Sequence, residues 1–217
     1  MAKKPCVQVE ILVMGMIENN VYIIDSGDGV MVVDPTENAP YIVEKLNGRK
    51  LDAIVLTHGH YDHVNGANEL RELTGARVIA SAVDTPIIEG NASKGRSMGK
   101  IIPCPVDQQV EDGDILEIGS MKWEVLLTPG HTPGGICLFL DSKYGSDPEG
   151  APLLISGDTL FCGTHGRTDF EGGSVDDMAV SLKRLIQLPE ETIVLPGHQS
   201  LTTIANERRT FAILLRD

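Results

Sequence analysis

LDAIVLTHGHYDHVNG, residues 51–66, decides how this chain is read. An apolar run, LDAIVL, ends in a turn that crowds His58, His60, Asp62 and His63 into six residues. Such a run, bounded by turn residues, reads as a buried strand. His58 and His60 stand two apart at its extended end, so both side chains can point to one side. Asp62 and His63 follow where the chain turns toward a helix. Imidazole and carboxylate are good ligands for Zn²⁺ and similar divalent ions, and no thiolate belongs to the group. The competing account, a solvated polar loop, does not explain this density of donors between such flanks.

One loop does not complete two metal shells, so further donors are expected at other strand ends. Three candidates each follow an apolar run: His131 in LLTPGHTPGG, Asp158 in LLISGDTLF and His198 in IVLPGHQS. Singly, each is an ordinary polar turn residue. Together they repeat one design, a buried strand delivering a donor to a tight glycine turn, where the backbone can bend sharply and come close to an ion. Asp34, ending VMVVDP, is placed either to hydrogen-bond one of these histidines from behind or simply to cap its strand.

Outward from these motifs, short apolar runs alternate with a few helical patterns. NVYIIDSGDGVMVVDP reads as two strands joined by a Ser-Gly-Asp-Gly hairpin. APYIVEKLNG is a helix closed by Gly48, GANELRELTG a helix ending at Gly75, and ARVIAS a strand. Residues 85–105 read as irregular or partly helical. Strands return in DILEIG, KWEVLLTP, GICLFLD and PLLISGD, the last two separated by the turn-rich SKYGSDPEGAP. SVDDMAVSLKRLIQL is the clearest helix, with Ser174 at the N-cap and Asp177 at the capping-box position. ETIVLPGH is a final strand, and residues 203–215 a closing helix. No linker, low-complexity tract or fixed repeat interrupts the chain, so a single domain over 1–217, built from two strand-rich halves, is expected.

With 41% apolar residues among 217, the chain can bury a sizeable core. No apolar run approaches the ~20 residues of a membrane span. The first residues lack an apolar signal-peptide core and alternate from Val7 to Ile11 as a strand does, which reads as a mature, cytoplasmic protein without a membrane partner. Formal net charge is −13, which repels phosphate backbones and argues against nucleic acid. The basic residues Lys94, Arg96, Lys100 and Lys143 could offset that charge near a pocket for an anionic substrate. Four scattered cysteines, with no CxxC pair, do not read as a disulfide framework. Cys162 lies near Asp158 and is read as a small buried hydrophobe in preference to a functional thiol.

The order His58-x-His60-x-Asp62-His63, then His131, Asp158 and His198, resembles the metallo-β-lactamase superfamily over residues 20–210 or so. The resemblance implies an α/β protein folded as an αββα sandwich, with two metal ions at the edges of two β-sheets. Carried over by motif, His58, His60 and His131 would hold one ion, Asp62, His63 and His198 the other, and Asp158 would bridge them. It implies two divalent ions, Zn²⁺ by default with Fe or Mn as alternatives, whose bridging water loses a proton and attacks a carbonyl carbon. Asp62 and Asp158 are thereby the catalytic carboxylates, Asp62 as a ligand and not a free base.

GDTLF, GRTDFEGG and PGHQSLTTIANERRT look like short glyoxalase II-type hydrolases, which act on S-acylglutathione thioesters. In the long glyoxalase II enzymes a basic residue at the position of Arg167 contacts glutathione. Here Arg167 either grips a substrate carboxylate or pairs with Asp169, two residues on. Asp169 stands where the long enzymes have an aromatic contact, their C-terminal helical domain is not expected here, and FAILLRD replaces the usual Asn-Pro after ERRT. His165 reads as a surface loop residue. The alternatives are a mono-iron persulfide dioxygenase, which shares a GRTDF-like loop, a lactonase or other ester hydrolase of the same fold, and a non-catalytic metal-binding module. A secreted β-lactamase, a nuclease and a flavodiiron reductase fit less well, the last because it puts Glu where His60 stands. The expected partner is a small acyl thioester, with the protein a monomer or homodimer.

Overall fold

The apolar runs build two six-stranded sheets stacked face to face, and helices cover both outer faces. The structure is a computed structural model that describes residues 6–91 and 99–215. Lys94 and Arg96 lie outside the described residues.

The first sheet has the order β1 (Gln8–Met14), β2 (Asn19–Asp25), β3 (Val30–Val33), β4 (Ala53–Val55), β5 (Arg77–Ser81) and β6 (Gln108–Val110). Its first three strands are antiparallel and β3 to β6 parallel. The predicted hairpin is the β2–β3 turn, closed by the pair Asp25 and Val30. Between these strands lie α1 (Ala39–Leu46), α2 (Tyr61–Val64), α3 (Ala67–Thr74) and α4 (Thr85–Ile88). Asn47 and Gly48 both end α1 with positive φ. The short α4 is the helical part of the stretch read as irregular.

The second sheet holds β7 (Ile115–Ile118), β8 (Met121–Leu127), β9 (Ile136–Leu140), β10 (Leu153–Gly157), β13 (Ile193–Pro196) and β14 (Thr202–Thr203). Its order is β14-β13-β10-β9-β8-β7, with β10 and β13 parallel. A two-stranded ribbon, β11 (Leu160–Phe161) and β12 (Thr164–His165), leaves the end of β10. Three helical pieces follow: α5 (Val175–Leu185), α6 (Ile204–Thr210) and a 3₁₀ turn over Ala212–Leu215.

Side-chain alternation explains the layers. Tyr22 and Ile24 point between the sheets and meet Trp123, Leu138 and Ile155. Val21 and Ile23, one residue out of phase, join Ile42 and Leu70 from α1 and α3. On the far side Leu154 and Val194 pack on Met178, Leu182 and Leu185 of α5 and Ile204 of α6. Strands covered on both faces need apolar residues in succession, which is why the sequence shows unbroken runs. The αββα sandwich expected from the motifs is therefore the observed fold. Among the described residues, no helix is long and apolar enough to cross a membrane.

The predicted N-cap of α5 forms, Ser174 Oγ accepting a hydrogen bond from the Asp177 backbone N–H, but the reciprocal half of a capping box does not, because the Ser174 N–H donates to Gly130 O (2.9 Å). Ser174→Ala should cost about 1 kcal/mol in urea unfolding, with the slope of the transition unchanged.

Candidate metal centre

The ends of β4, β8, β10 and β13 converge along one edge of the sandwich. Past β4 the chain delivers Thr57, His58 and His60, and α2 adds Asp62 and His63. The β8–β9 loop brings His131, the end of β10 brings Asp158, and the turn after β13 brings His198. Backbone bonds hold the two sheets in register here: Ile136 N–H donates to Thr57 O (2.9 Å) and Asn20 N–H to Gly197 O (2.8 Å). Tyr22 Oη and Asn20 Nδ2 add bonds to Pro196 O at 2.6 and 2.9 Å. A Cβ on Gly197 would strike Asp158 Oδ1 and the His63 ring, so only glycine lets this turn pass so close.

All seven predicted donors meet. His58 Nε2 lies 3.1 Å from His60 Nδ1, which lies 2.8 Å from His131 Nε2. Asp62 Oδ2 is 3.3 Å from His63 Nε2 and 3.4 Å from His198 Nε2. Asp158 sits between the two groups: Oδ2 is 3.4 Å from His131 Nε2 and 3.6 Å from His198 Nε2, and Oδ1 is 3.4 Å from His63 Nε2.

The outer ring nitrogens show which way the lone pairs face. His131 Nδ1 donates to Arg167 O at 2.7 Å, and His198 Nδ1 to Ile17 O at 3.1 Å. A carbonyl only accepts, so these nitrogens carry protons, and Nε2 of each ring is the atom turned inward that can offer a lone pair to an ion. His63 Nδ1 donates to Asp34 Oδ2 at 2.9 Å. Thr57 Oγ1 gives its proton to Asp34 Oδ2 (2.7 Å) and so accepts from His58 Nδ1 (3.0 Å). Asp34, which also takes the Thr57 N–H at 2.8 Å, thus holds His63 from behind and ties down the chain leaving β4, the neighbouring strand.

Inward lone pairs this close repel unless a cation or a shared proton lies among them. Burial, then the neighbouring histidines, push His58 well below the ordinary imidazole range, and burial with His131 pulls His60 down to about 3. Burial also opposes charge on His63 and His198, yet Asp158 and Asp34 raise the first, and Asp62 and Asp158 the second. Burial alone would push Asp62 up, but hydrogen bonds from His198 and His63 hold it far below the usual carboxylate range. Asp158 Oδ1 is buried without a hydrogen-bond partner. Inward-facing imidazole nitrogens beside carboxylate oxygens, one of them without a hydrogen-bond partner, are what divalent cations require, and binding would displace inward protons on His63 and His198. The donor set fits the implied metal ions.

A cavity of about 490 Å³ opens over the cluster, lined by Ile17, Tyr61, Phe161, Arg167 and Phe170 among others. Arg167 reaches this wall but is already engaged: Asp169 takes its Nε (2.9 Å) and Nη2 (2.7 Å), and its guanidinium lies 4.3 Å above the Phe170 ring. Of the other basic residues, exposed Lys100 does not line the cavity. Lys143 follows β9 at the opposite end of the sheet, where Leu140 pairs with Leu153, and it pairs with Asp141. His165 is exposed on β12 and outside the cavity, as read from the sequence. Cys162 is exposed at the β11–β12 turn, contrary to its reading as a buried hydrophobe, because two-residue strands leave their turn nothing to pack against.

Two contributors went unread. Asp84, buried after β5, accepts Gly59 N–H (2.9 Å), Thr132 Oγ1–H (2.8 Å) and Gly134 N–H (2.8 Å), and so ties the His58–His60 loop to the His131 loop. Burial pushes its carboxyl up, but only the ionised form offers both oxygens to three donors. Asn19, at the start of β2, places its amide against Asp62, His63 and His198. Neither sits in a local motif; the available hints were a polar residue at the start of a strand for Asn19 and an Asp just before a helical turn for Asp84.

Fold and site define an αββα protein whose His/Asp clusters could hold metal ions. The profile of the metallo-β-lactamase superfamily matches residues 15–198, and the chain belongs to that superfamily. It is 34% identical over 201 residues to the probable metallo-hydrolase YqgX of Bacillus subtilis, spanning 90% of this chain and 92% of that one. Identity to the hydroxyacylglutathione hydrolase GloC of Haemophilus influenzae is 29% over 212 residues, 93% and 95% of the two chains. Among solved structures, the B3 metallo-β-lactamase BLEG-1 superposes with a TM-score of 0.82 at 29% identity, over 96% of this chain and all of that one. TTHA1623, in a di-iron-bound form, gives 0.76 at 35% identity over 93% and 98%. ETHE1 from Myxococcus xanthus gives 0.74 at 28% identity over 94% and 83%.

Proposed function

We propose that the protein is a metal-dependent hydrolase of acyl thioesters of the S-acylglutathione type, with two divalent cations, Zn²⁺ first and Fe or Mn next, as its cofactor. The observation that carries this is Asp158, within 3.6 Å of donor atoms in both histidine groups at the floor of an open cavity. His58, His60 and His131 would hold one ion, Asp62, His63 and His198 the other, and Asp158 both. When bound, such ions supply hydroxide near neutral pH and positive charge for the oxyanion of acyl transfer.

The chain's own part is to aim the donors and to wall them with apolar side chains. Arg167 O, Ile17 O, Asp34 and Thr57 hold the rings in one tautomer. Phe161, Phe170 and Ile17 form apolar walls against which an acyl chain can pack and from which water is displaced. Likeness to the hydroxyacylglutathione hydrolase GloC supports the choice of thioester.

The test is loss of S-lactoylglutathione with metal-loaded protein. Turnover is expected, and its absence in protein shown to hold two ions would end the glutathione reading. Asp169→Asn frees the Arg167 fork and should lower KM for the glutathione thioester about two- to fivefold, the modest effect of an exposed pair. A second reading, a mono-iron persulfide dioxygenase, is favoured by the likeness to ETHE1 and predicts oxygen consumption with glutathione persulfide on iron-loaded protein. Lactones would be assayed next.

A further inference from the structure

Asn19 is fully buried, and its amide points into the second donor group. Its Nδ2 lies 3.0 Å from Asp62 Oδ2, 3.2 Å from His63 Nε2 and 3.5 Å from His198 Nε2. These are the atoms that would hold the second ion, themselves 3.3 Å (Asp62 to His63) and 3.4 Å (Asp62 to His198) apart. Four donors around a tetrahedral ion with bonds near 2.0–2.1 Å stand about 3.3 Å from one another. The amide end of Asn19 therefore occupies a vertex of the same coordination figure.

The other end of the amide is the anomaly. Asn19 Oδ1 is buried with no hydrogen-bond partner. An interior carbonyl left unpaired loses its hydration without compensation. A half-turn about the Cβ–Cγ bond exchanges oxygen and nitrogen in nearly the same volume. It would bring Oδ1 among Asp62, His63 and His198 and send the N–H groups toward the spot bordered by Thr36 Oγ1, an acceptor beside Gly15. With a dication among those donors, the N–H face would be repelled and the oxygen attracted.

We propose that Asn19, through Oδ1, is a further protein ligand of the second cation. The inference rests on the two-ion reading above. It makes the two positions unequal: three nitrogens and one oxygen at the first, and two nitrogens with three oxygens, from Asp62, Asp158 and Asn19, at the second. An oxygen-rich, five-donor position suits harder ions of higher coordination number, such as Mn²⁺.

The experiment is titration of metal-free protein with Mn²⁺, counting bound ions by loss of the free-ion EPR signal, with circular dichroism confirming the fold of each variant. Wild type should bind two ions. Asn19→Ala should weaken the second by about tenfold or more, leaving the first in place, whereas Asn19→Asp, which keeps an oxygen and adds charge, should tighten it. Loosening by both variants would mark an amide N–H that merely steadies Asp62, and would overturn the proposal, as would an unchanged second affinity in Asn19→Ala. If Asn19→Ala fails to fold, Asn19→Asp decides alone. A wild type that binds fewer than two ions would instead remove the two-ion reading itself.

Discussion

On the proposed two-ion thioesterase reading, Asp158→Ala should leave a folded protein that retains about one cation in place of two, and that turns over S-lactoylglutathione about 10³-fold more slowly, ~4 kcal/mol of barrier. The carboxylate is 9% exposed, and its two oxygens face His131 and His198 on one side and His63 on the other. Removing it would take away the one negative charge shared by both groups, which would otherwise offset the mutual repulsion of two dications. Asp158→Asn keeps an oxygen but not the charge, so it should fall between wild type and Ala in metal content. Metal content by atomic emission, read beside turnover, checks this. Two firmly held ions and wild-type turnover in Asp158→Ala would refute the bridging role.

The second large effect falls on a residue that touches no candidate ligand atom. Asp84→Ala should lower stability by about 3–5 kcal/mol, because two backbone N–H groups and one hydroxyl lose a charged acceptor inside the protein. For a chain of this length that is a fall in Tm on the order of 10 °C. Metal affinity should fall as well, since Gly59 lies between His58 and His60, and Thr132 and Gly134 flank the His131 turn. A Cβ on Gly134 would run into Asp84, a sign of how tightly the three segments close on this carboxylate. Calorimetry of the metal-free protein reads the first effect and chelator competition the second. A variant with lower Tm but unchanged metal affinity would make Asp84 a brace for the fold alone.

The seven donors were legible because each is announced locally. An apolar run long enough for a buried strand, a glycine or proline, and then a histidine or aspartate describe His131, Asp158 and His198 alike, and THGHYDH carries four more. The helix at Ser174 was legible for the same reason, since an N-cap signal lies within four residues. The strands β6 and β14 were not, being two or three residues of polar sequence that become strands only by pairing with a neighbour already in place. Arg167 stayed divided between two readings, because adjacency to Asp169 shows only that the pair can form.

Alone, the sequence named the candidate donor residues and the chemistry open to imidazole and carboxylate, and its motifs carried the αββα class through the family they resemble. Residue type and spacing act over a few positions, whereas periodicity gave only alternating strands and helices. Only the tertiary structure decided that Asp84 brackets two loops, that Asn19 faces the second donor group, and that Arg167 is taken by Asp169. Asp84 lies 25 residues from Gly59 and 50 from Gly134, and Asn19 lies 179 from His198. Contacts at such separations depend on how one sheet registers against the other, and that register is set by the whole core at once.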